Sequence, residues 1–277
     1  VFCGADTPDH LIALFTAALA VWYAAALYRE AGGERGALFW VLFLFLGTGY
    51  AYIAVNGYVW FLAQSMCFTL SLMALTYALR CAGGRALTLW ACAVGCRPMV
   101  ILFLPVLLAL LWRAWRAENP APGLGTLLRK KLYWCAGPAV LAASYLLLNF
   151  LRFGDAFEFG HNYLPEFVRA PQGQFSLSYF WENAANLLRL PRWQGDTQPL
   201  DFPLTNGMAF WLVNPLLPVA AAAWGWAVRK KRREHPLLLW MLPPLVLAYI
   251  FVLCCHRTLG GWQFGDRYLL DVMPWIF

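Results

Sequence analysis

The chain is organised by apolar runs that are each long enough to cross a lipid bilayer. A helix of about 20 apolar residues matches the ~30 Å hydrocarbon core, whereas a soluble core does not need such runs in series. Hydrophobic residues make up 61% of the 277 residues and charged residues only 13%. We therefore predict an all-α, polytopic integral membrane helical bundle that forms a single transmembrane domain over residues 1–277.

The positions of the runs predict the spans. Membrane spans are expected at 10–28, 37–54, 58–79, 132–151, 207–228 and 237–254, followed by an incomplete span from 269. Residues 86–112 form a further run that is interrupted by Gly95, Arg97 and Pro98. The chain starts at Val1 and stops inside an apolar run, so we expect a fragment truncated at both ends.

Basic residues in short loops predict the orientation, because Lys and Arg accumulate on the cytoplasmic side of a membrane. Loops 29–36, 80–85, 113–131 and 229–233 hold fourteen of the twenty-one basic residues. With these loops inside, residues 152–206 form the one sizeable extracytoplasmic loop. Most acids, Asp271 among them, then lie outside. The net charge of +7 sits in these loops, so it does not predict nucleic-acid binding.

Residues 86–112 lie between two loops that are both expected inside, so this run has to enter the membrane and return. Pro98 disfavours helix at Arg97 and removes a backbone N–H, which suits a turn. We predict a re-entrant pair of short helices, with a first arm of about ten residues rising about 15 Å. Broken helices are tolerated at depth only where protein or a water-filled cavity covers the backbone, so the hairpin should line a cavity.

Arg97 is the most informative single residue, because a charge near the middle of a membrane costs about 2.5–3.5 kcal/mol. Two interpretations stay open. The side chain could contact the phosphate of an anionic lipid, since the planar guanidinium grips phosphate oxygens. It could instead pair with a carbonyl or an acid and hold the apex of the hairpin together.

The tripeptide "FGD" occurs twice, each time just beyond a predicted span, and it supplies three candidate substrate-binding residues. The first copy gives Asp155, and the second continues into Arg267 after Asp266. Asp266 and Arg267 could form a local ion pair, or Arg267 could bind phosphate while a neighbouring acid orients it.

A compact polar set follows the first copy, and all four members are candidate substrate-binding residues. His161, Asn162, Tyr163 and Glu166 are of the types that hold hydroxyl-rich sugars, and His161 or Glu166 could act as a general base. Residues 152–167 and 255–268 share polarity, glycines and aromatics. We predict that these two segments converge over one external cavity.

The sequence contains an apolar periodicity in residues 176–190 and a cluster of possible metal ligands at residues 254–256. Residues 176–190, "SLSYFWENAANLLRL", place six apolar residues on one helical face, which predicts an amphipathic helix lying on the membrane surface. These residues are Leu177, Phe180, Trp181, Ala184, Leu187 and Leu188. Cys254, Cys255 and His256 are adjacent, but neighbouring cysteines rarely chelate one ion, so no metal site and no cofactor are predicted. A divalent metal elsewhere is left open.

Three stretches resemble the GT-C superfamily of polytopic bacterial glycosyltransferases. They are "GCRPMVILFLPVLLALLW", "YLLLNFLRFGDAFEFGHNYLPEF" and "GGWQFGDRYLLDVMPW". The group they most resemble is the family 39-type, related to protein O-mannosyltransferases and aminoarabinose transferases. The resemblance implies transfer of a sugar, with inversion, from a polyprenyl-phosphate donor to a glycan, lipid or protein acceptor. This reaction would occur on the extracytoplasmic face of the bacterial plasma membrane, in the cell envelope.

The resemblance also implies a catalytic aspartate in the first external loop. Asp6 and Asp9 lie where the end of that loop would be, but "ADTPDH" departs from the family's acidic motif. The catalytic residue is therefore expected upstream of Val1. The alternative function is a non-enzymatic membrane protein that handles lipid-linked saccharides, such as a flippase or polymerase-like subunit, or an inactive homologue.

Overall fold

The computed structural model describes residues 8–118, 123–193, 200–201, 208–230, 236–259 and 265–277. It is 77% helical with almost no strand, so the all-α class is confirmed. Asp6 lies outside the described residues, and Asp9 begins the first helix. The chain divides into two compact units, residues 1–137 with 270–277, and residues 138–269.

The helices of the first unit precede residue 137, apart from a short return at the end of the chain. They are α1 (Asp9–Glu30), α2 (Ala37–Leu46), α3 (Tyr50–Ala54), α4 (Val59–Leu79), α5 (Gly83–Cys96), α6 (Leu104–Glu118) and α7 (Leu124–Lys131). A 3-10 helix, Pro98–Phe103, joins α5 to α6. Another, Leu132–Cys135, follows α7.

The described residues of the second unit form helices and one short strand pair. Its helices are α8 (Ala136–Phe153), α9 (Pro165–Val168), α10 (Phe180–Leu188), α11 (Phe210–Val213), α12 (Leu216–Arg229) and α13 (Pro236–Cys254). Strands β1 (Arg192–Trp193) and β2 (Leu200–Asp201) pair antiparallel. A 3-10 helix, Arg267–Asp271, leads into α14 (Met273–Ile276), which belongs to the first unit.

Four helical stretches in the described residues are long and apolar enough to cross a membrane. They are Asp9–Glu30, Val59–Leu79, Pro98–Glu118 and Arg129–Phe153. The predicted span 37–54 is instead divided into α2 and α3, since Gly47 ends α2 and Gly49 precedes α3. The chain is thus compatible with an integral membrane protein.

Helices α1 and α4 pack side by side and run in the same direction. Thr69 Oγ1 donates to the Thr16 carbonyl at 3.2 Å near one end of the pair. At the other end, Arg80 and Glu30 form an exposed ion pair at 2.7 Å. Loops 29–36 and 80–85 therefore lie at the same end of the first unit, which we call the basic end.

The start of α5 and the end of α6 also meet at the basic end. Burial raises the pKa of the Cys81 thiol, the Glu118 carboxylate that it bonds raises it further, and Lys131 opposes both. Gly83 lies so close to the Trp134 ring that a Cβ there would overlap it. The chain therefore leaves the basic end at Gly83 and returns to it at Glu118. Whether this path re-enters a membrane stays a prediction.

The two arms of this path differ in length. Helix α5 begins at Gly83, and its 14 residues rise about 21 Å, which is longer than the predicted arm of about 15 Å. The returning arm, Pro98–Glu118, has 21 residues and spans more than 30 Å by the usual rise per residue. The break falls at Arg97, as expected, but the second arm is longer than a short helix.

Cysteine labelling can test whether the path from Gly83 to Glu118 begins and ends on the same side of the membrane. With Arg85→Cys and Ala117→Cys, we expect an impermeant thiol reagent to reach both positions from the same side of a sealed membrane. Both residues are exposed and lie at the basic end. Gly83 is unsuitable because any side chain there overlaps Trp134. The measurement is labelling of intact and of inverted vesicles.

Tyr58→Cys is the matched control, because Tyr58 is exposed and precedes α4 at the opposite end. It should react only from the other side. Reaction of Arg85→Cys and Ala117→Cys from opposite sides would contradict the return path.

Helix α10 is fastened to the end of α13 by the side chain of Asn183. Asn183 Nδ2 donates to the carbonyls of Cys254 at 2.9 Å and His256 at 2.6 Å. The carbonyls of a helix's last turn have no intrahelical partner, so this amide caps α13. Alongside it, Ser176 N donates to the Cys255 carbonyl and Arg257 N donates to the Gln174 carbonyl, each at 2.9 Å.

The predicted apolar face of residues 176–190 is divided by this packing. Leu187 is buried with Asn183, whereas Leu177, Trp181 and Leu188 are exposed. The predicted apolar residues therefore do not share one environment, because Leu187 is buried beside Asn183. Contact of this helix with a membrane surface stays a prediction.

Asn183→Ala should release α10 from α13. Two buried carbonyls lose their donor, and such a loss costs about 1–3 kcal/mol. We expect the amides of residues 176–188 to exchange with deuterium about ten-fold faster, because 1.4 kcal/mol corresponds to a factor of ten. Asn186→Ala, which removes the same side chain from a less buried position of the same helix, should leave exchange unchanged. Equal exchange in the two variants would contradict the cap.

Candidate functional site

A buried polar cluster joins three segments of the first unit. Asp271 Oδ1 accepts from Gln64 Nε2 at 2.9 Å, and Asp271 Oδ2 accepts from Arg97 Nε at 2.9 Å. The Asp271 side chain is 1% exposed and the Arg97 side chain 16%. The cluster connects α4, the break after α5 and the 3-10 helix before α14. We call these three residues the Arg97 cluster.

Two helices locate the Arg97 cluster along the first unit. Arg97 follows the 14 residues of α5, about 21 Å from the basic end. Gln64 lies 15 residues before the end of α4, which gives about 22 Å. The cluster therefore lies about 21–22 Å from the basic end, farther than the predicted first arm of about 15 Å.

Protein covers the break at Arg97. Trp90 Nε1 donates to the Val100 carbonyl at 3.3 Å, so the indole bonds backbone just beyond the break. The rings of Phe103 and Trp275 stack with centroids 5.0 Å apart. A broken helix at depth needs such partners, because no lipid group can bond its backbone.

Of the two interpretations of Arg97, the structure provides the acid partner. Asp271, which orientation alone placed outside, is buried beside Arg97. An ion pair neutralises both groups where water is scarce, and the Arg97 guanidinium thereby offsets the charge of the buried Asp271 carboxylate. Contact between Arg97 and a lipid phosphate stays a prediction.

Gly265 and Asp266 of the second "FGD" copy are also buried. Asp266 Oδ1 accepts from the Tyr268 backbone N–H at 3.2 Å. The guanidinium carbon of Arg267 lies 4.8 Å from the centre of the Tyr268 ring, which is a cation–π distance. Both charged side chains are less than one-tenth exposed. Tyr268 thus contacts both Asp266 and Arg267 within the second unit.

The first "FGD" copy is a surface turn. Gly154 has a φ of +74°, which favours glycine, and the exposed Asp155 accepts from the Phe157 backbone N–H at 2.8 Å. The two copies share three letters, but one forms a turn at the surface and the other a buried pair.

Asn162 and Tyr163 have ordered partners next to this turn. Glu158 Oε2 accepts from Asn162 Nδ2 at 2.7 Å, and Glu158 Oε1 accepts from the Gly160 N–H at 2.6 Å. The rings of Tyr163 and Phe153 stack at 5.4 Å. His161 and Glu166 have described backbones, in a 3-10 turn and in α9, but their side chains lie outside the described part.

His256 connects residues 152–167 with residues 255–268 within the second unit. Its ring contacts Phe167 at 5.6 Å, Phe175 at 5.0 Å and Tyr268 at 6.3 Å between centroids. Phe167 ends the first predicted segment and His256 begins the second, so the predicted proximity is confirmed at this contact. A shared cavity stays a prediction.

The ring nitrogens of His256 are both engaged. Gln174 Nε2 lies 3.2 Å from Nε2. Nδ1 lies 2.5 Å from the Thr258 carbonyl oxygen and 3.2 Å from the Thr258 backbone nitrogen. This histidine is not available as a metal ligand beside Cys254 and Cys255. Nowhere in the described residues do three His, Cys, Asp or Glu side chains form a metal-binding group.

Sequence reasoning did not select four residues that the structure places at these sites. Gln64 and Asp271 complete the Arg97 cluster, Glu158 holds Asn162, and His256 connects the external segments. One signal was present in the sequence, because an amide such as Gln64 within an apolar span requires a polar partner. The partner itself is 207 residues away in the chain.

Comparison with models of known protein families, with characterised proteins and with solved structures finds no match to this chain.

The ion pair can be tested by a double-mutant cycle. Arg97→Met alone should destabilise the protein by about 3–5 kcal/mol, since it leaves a buried carboxylate uncompensated. Combining it with Asp271→Leu should restore most of that loss. The measurement is reversible unfolding of the purified protein in detergent.

The exposed Arg80–Glu30 pair is the matched control, and Arg80→Met should cost less than about 1 kcal/mol. If Arg97→Met and Arg80→Met have equal effects, the Arg97 cluster does not stabilise the fold.

Proposed function

We propose that the protein is a membrane glycosyltransferase that takes a sugar from a polyprenyl-phosphate donor and transfers it on the extracytoplasmic face. The resemblance of three stretches to GT-C enzymes supports this proposal. The helical, apolar architecture is compatible with it. The proposed acceptor is a glycan, a lipid or a protein.

The observation that carries the proposal is the position of Arg97. A permanently charged side chain lies at a helix break, about 21 Å from the basic end, where a phosphate in the opposite leaflet comes within reach. Its side chain remains partly exposed while Asp271 is buried.

In the proposed reaction, Arg97 neutralises the donor phosphate, the leaving group when the sugar–phosphate bond breaks, and Arg267 is the second candidate for this role. Asp155, Asn162, Tyr163, His161 and Glu166 are proposed to bind the sugar or the acceptor. The base that removes the acceptor's proton is proposed to be an aspartate, as in the enzymes that the three stretches resemble. No step requires a cofactor.

Arg97→Lys is the sharpest test of the phosphate role. Lysine keeps the charge beside Asp271 but loses the planar fork, so the fold should persist while binding of the donor phosphate weakens. A charge-assisted hydrogen bond contributes about 1.5–3 kcal/mol, so we expect donor use to fall about ten- to a hundred-fold. The measurement is transfer from a radiolabelled lipid donor by the intact, monodisperse protein. Arg267→Lys is tested in the same way.

Arg80→Lys serves as the control, because Arg80 is an exposed arginine of the basic end with its own acid partner. It should leave transfer unchanged. Wild-type transfer by both the Arg97 and Arg267 variants would exclude the phosphate role. Translocation of the lipid-linked sugar by the wild-type protein without any transfer would favour the non-enzymatic alternative.

A further inference from the structure

Helix α10 carries an apolar stripe that the protein does not cover. Leu177 is 70% exposed, Trp181 79% and Leu188 59%. Trp181 and Leu188 are seven residues apart, which places them within about 20° on a helix of 3.6 residues per turn. Leu177 lies in the 3-10 turn Leu177–Tyr179 that leads into α10, and its side chain is exposed as well. We call these three residues the α10 stripe.

The α10 stripe adjoins the apolar surface of α13. Phe180, next to Trp181, contacts Phe251 of α13 with ring centroids 5.3 Å apart. Phe251 is itself 47% exposed, and residues 237–254 contain no charged side chain. A helix of this composition is suited to lipid contact. The stripe and the exposed side of α13 therefore form one continuous apolar surface.

A second side of α10, next to the stripe, is polar. Glu182 is exposed and lies about 100° from Trp181, and Asn186 lies about 140° away, at 3.6 residues per turn. The side facing α13 is occupied by Asn183 and Leu187. One short helix thus presents a packed side, a polar side and an uncovered apolar side.

The anchoring by Asn183 fixes which way the stripe faces. Its two hydrogen bonds attach α10 to the last turn of α13, where an apolar helix reaches the edge of the hydrocarbon core. Tryptophan is enriched at this depth, because its ring is largely apolar and its N–H bonds water or headgroups.

We infer that the α10 stripe binds the bilayer surface at the C-terminal end of α13, making α10 an interfacial anchor. Its occupant is lipid at the boundary of headgroups and acyl chains, about 5–10 Å into the interface. The inference requires no catalytic activity and is independent of the proposed sugar transfer.

Nitroxide labels test the inference in the whole chain reconstituted into phosphatidylcholine nanodiscs, with reactive native cysteines replaced by serine. Trp181→Cys and Leu188→Cys report on the stripe, and Glu182→Cys is the matched control on the polar side. Oxygen concentrates in lipid, whereas a water-soluble nickel chelate is excluded from it. We expect labels at 181 and 188 to collide more often with oxygen than with nickel, and the label at 182 to show the reverse.

Two results would overturn the inference. Labels at 181 and 182 that both collide mainly with nickel would place the stripe in water. Labels at 181 and 188 that are shielded from both reagents would mean that protein, such as a second copy of the chain, covers it. In each variant, unchanged deuterium exchange of the backbone amides of residues 176–188 confirms that α10 has kept its packing.

Discussion

The interior of a bilayer offers no water to polar groups, and every buried polar side chain of this protein has to be considered under that constraint. Hydroxyls satisfy it locally. Thr16, Thr48, Thr69 and Thr76 each donate to the carbonyl four residues earlier in their own part of the chain. Gln64, Arg97 and Asp271 instead form hydrogen bonds with one another across three segments of the first unit.

This difference explains what the sequence could predict. The helical class and the ends of α1, α4 and α13 follow from apolar periodicity and length, which are local properties. The break at Arg97 follows from Pro98 and was placed correctly. The meeting of loops 29–36 and 80–85 at one end agrees with their shared basic charge, because the same electrostatic rule acts on both.

The partners of the polar residues could not be predicted in this way. Residues close to the cluster in space are far apart in sequence, and no local pattern specifies which of many acids reaches Arg97. The orientation of α10 was missed for a related reason. Apolar spacing suggested a single face, but two backbone carbonyls at the end of α13 required a donor, and Asn183 supplied it. Satisfying a helix end outweighed the hydrophobic pattern.

The sequence separation within the Arg97 cluster also affects how the protein is made. Arg97 and Asp271 are 174 residues apart, and Gln64 and Asp271 are 207 apart. At about 5–20 residues per second, a ribosome needs roughly ten to forty seconds to cover that distance. During this interval the segment around Arg97 has been synthesised, but Asp271, the partner of the Arg97 guanidinium, has not. Arg97 must meanwhile stay hydrated or be held by the insertion machinery, so the fold can close only when the last helices are delivered.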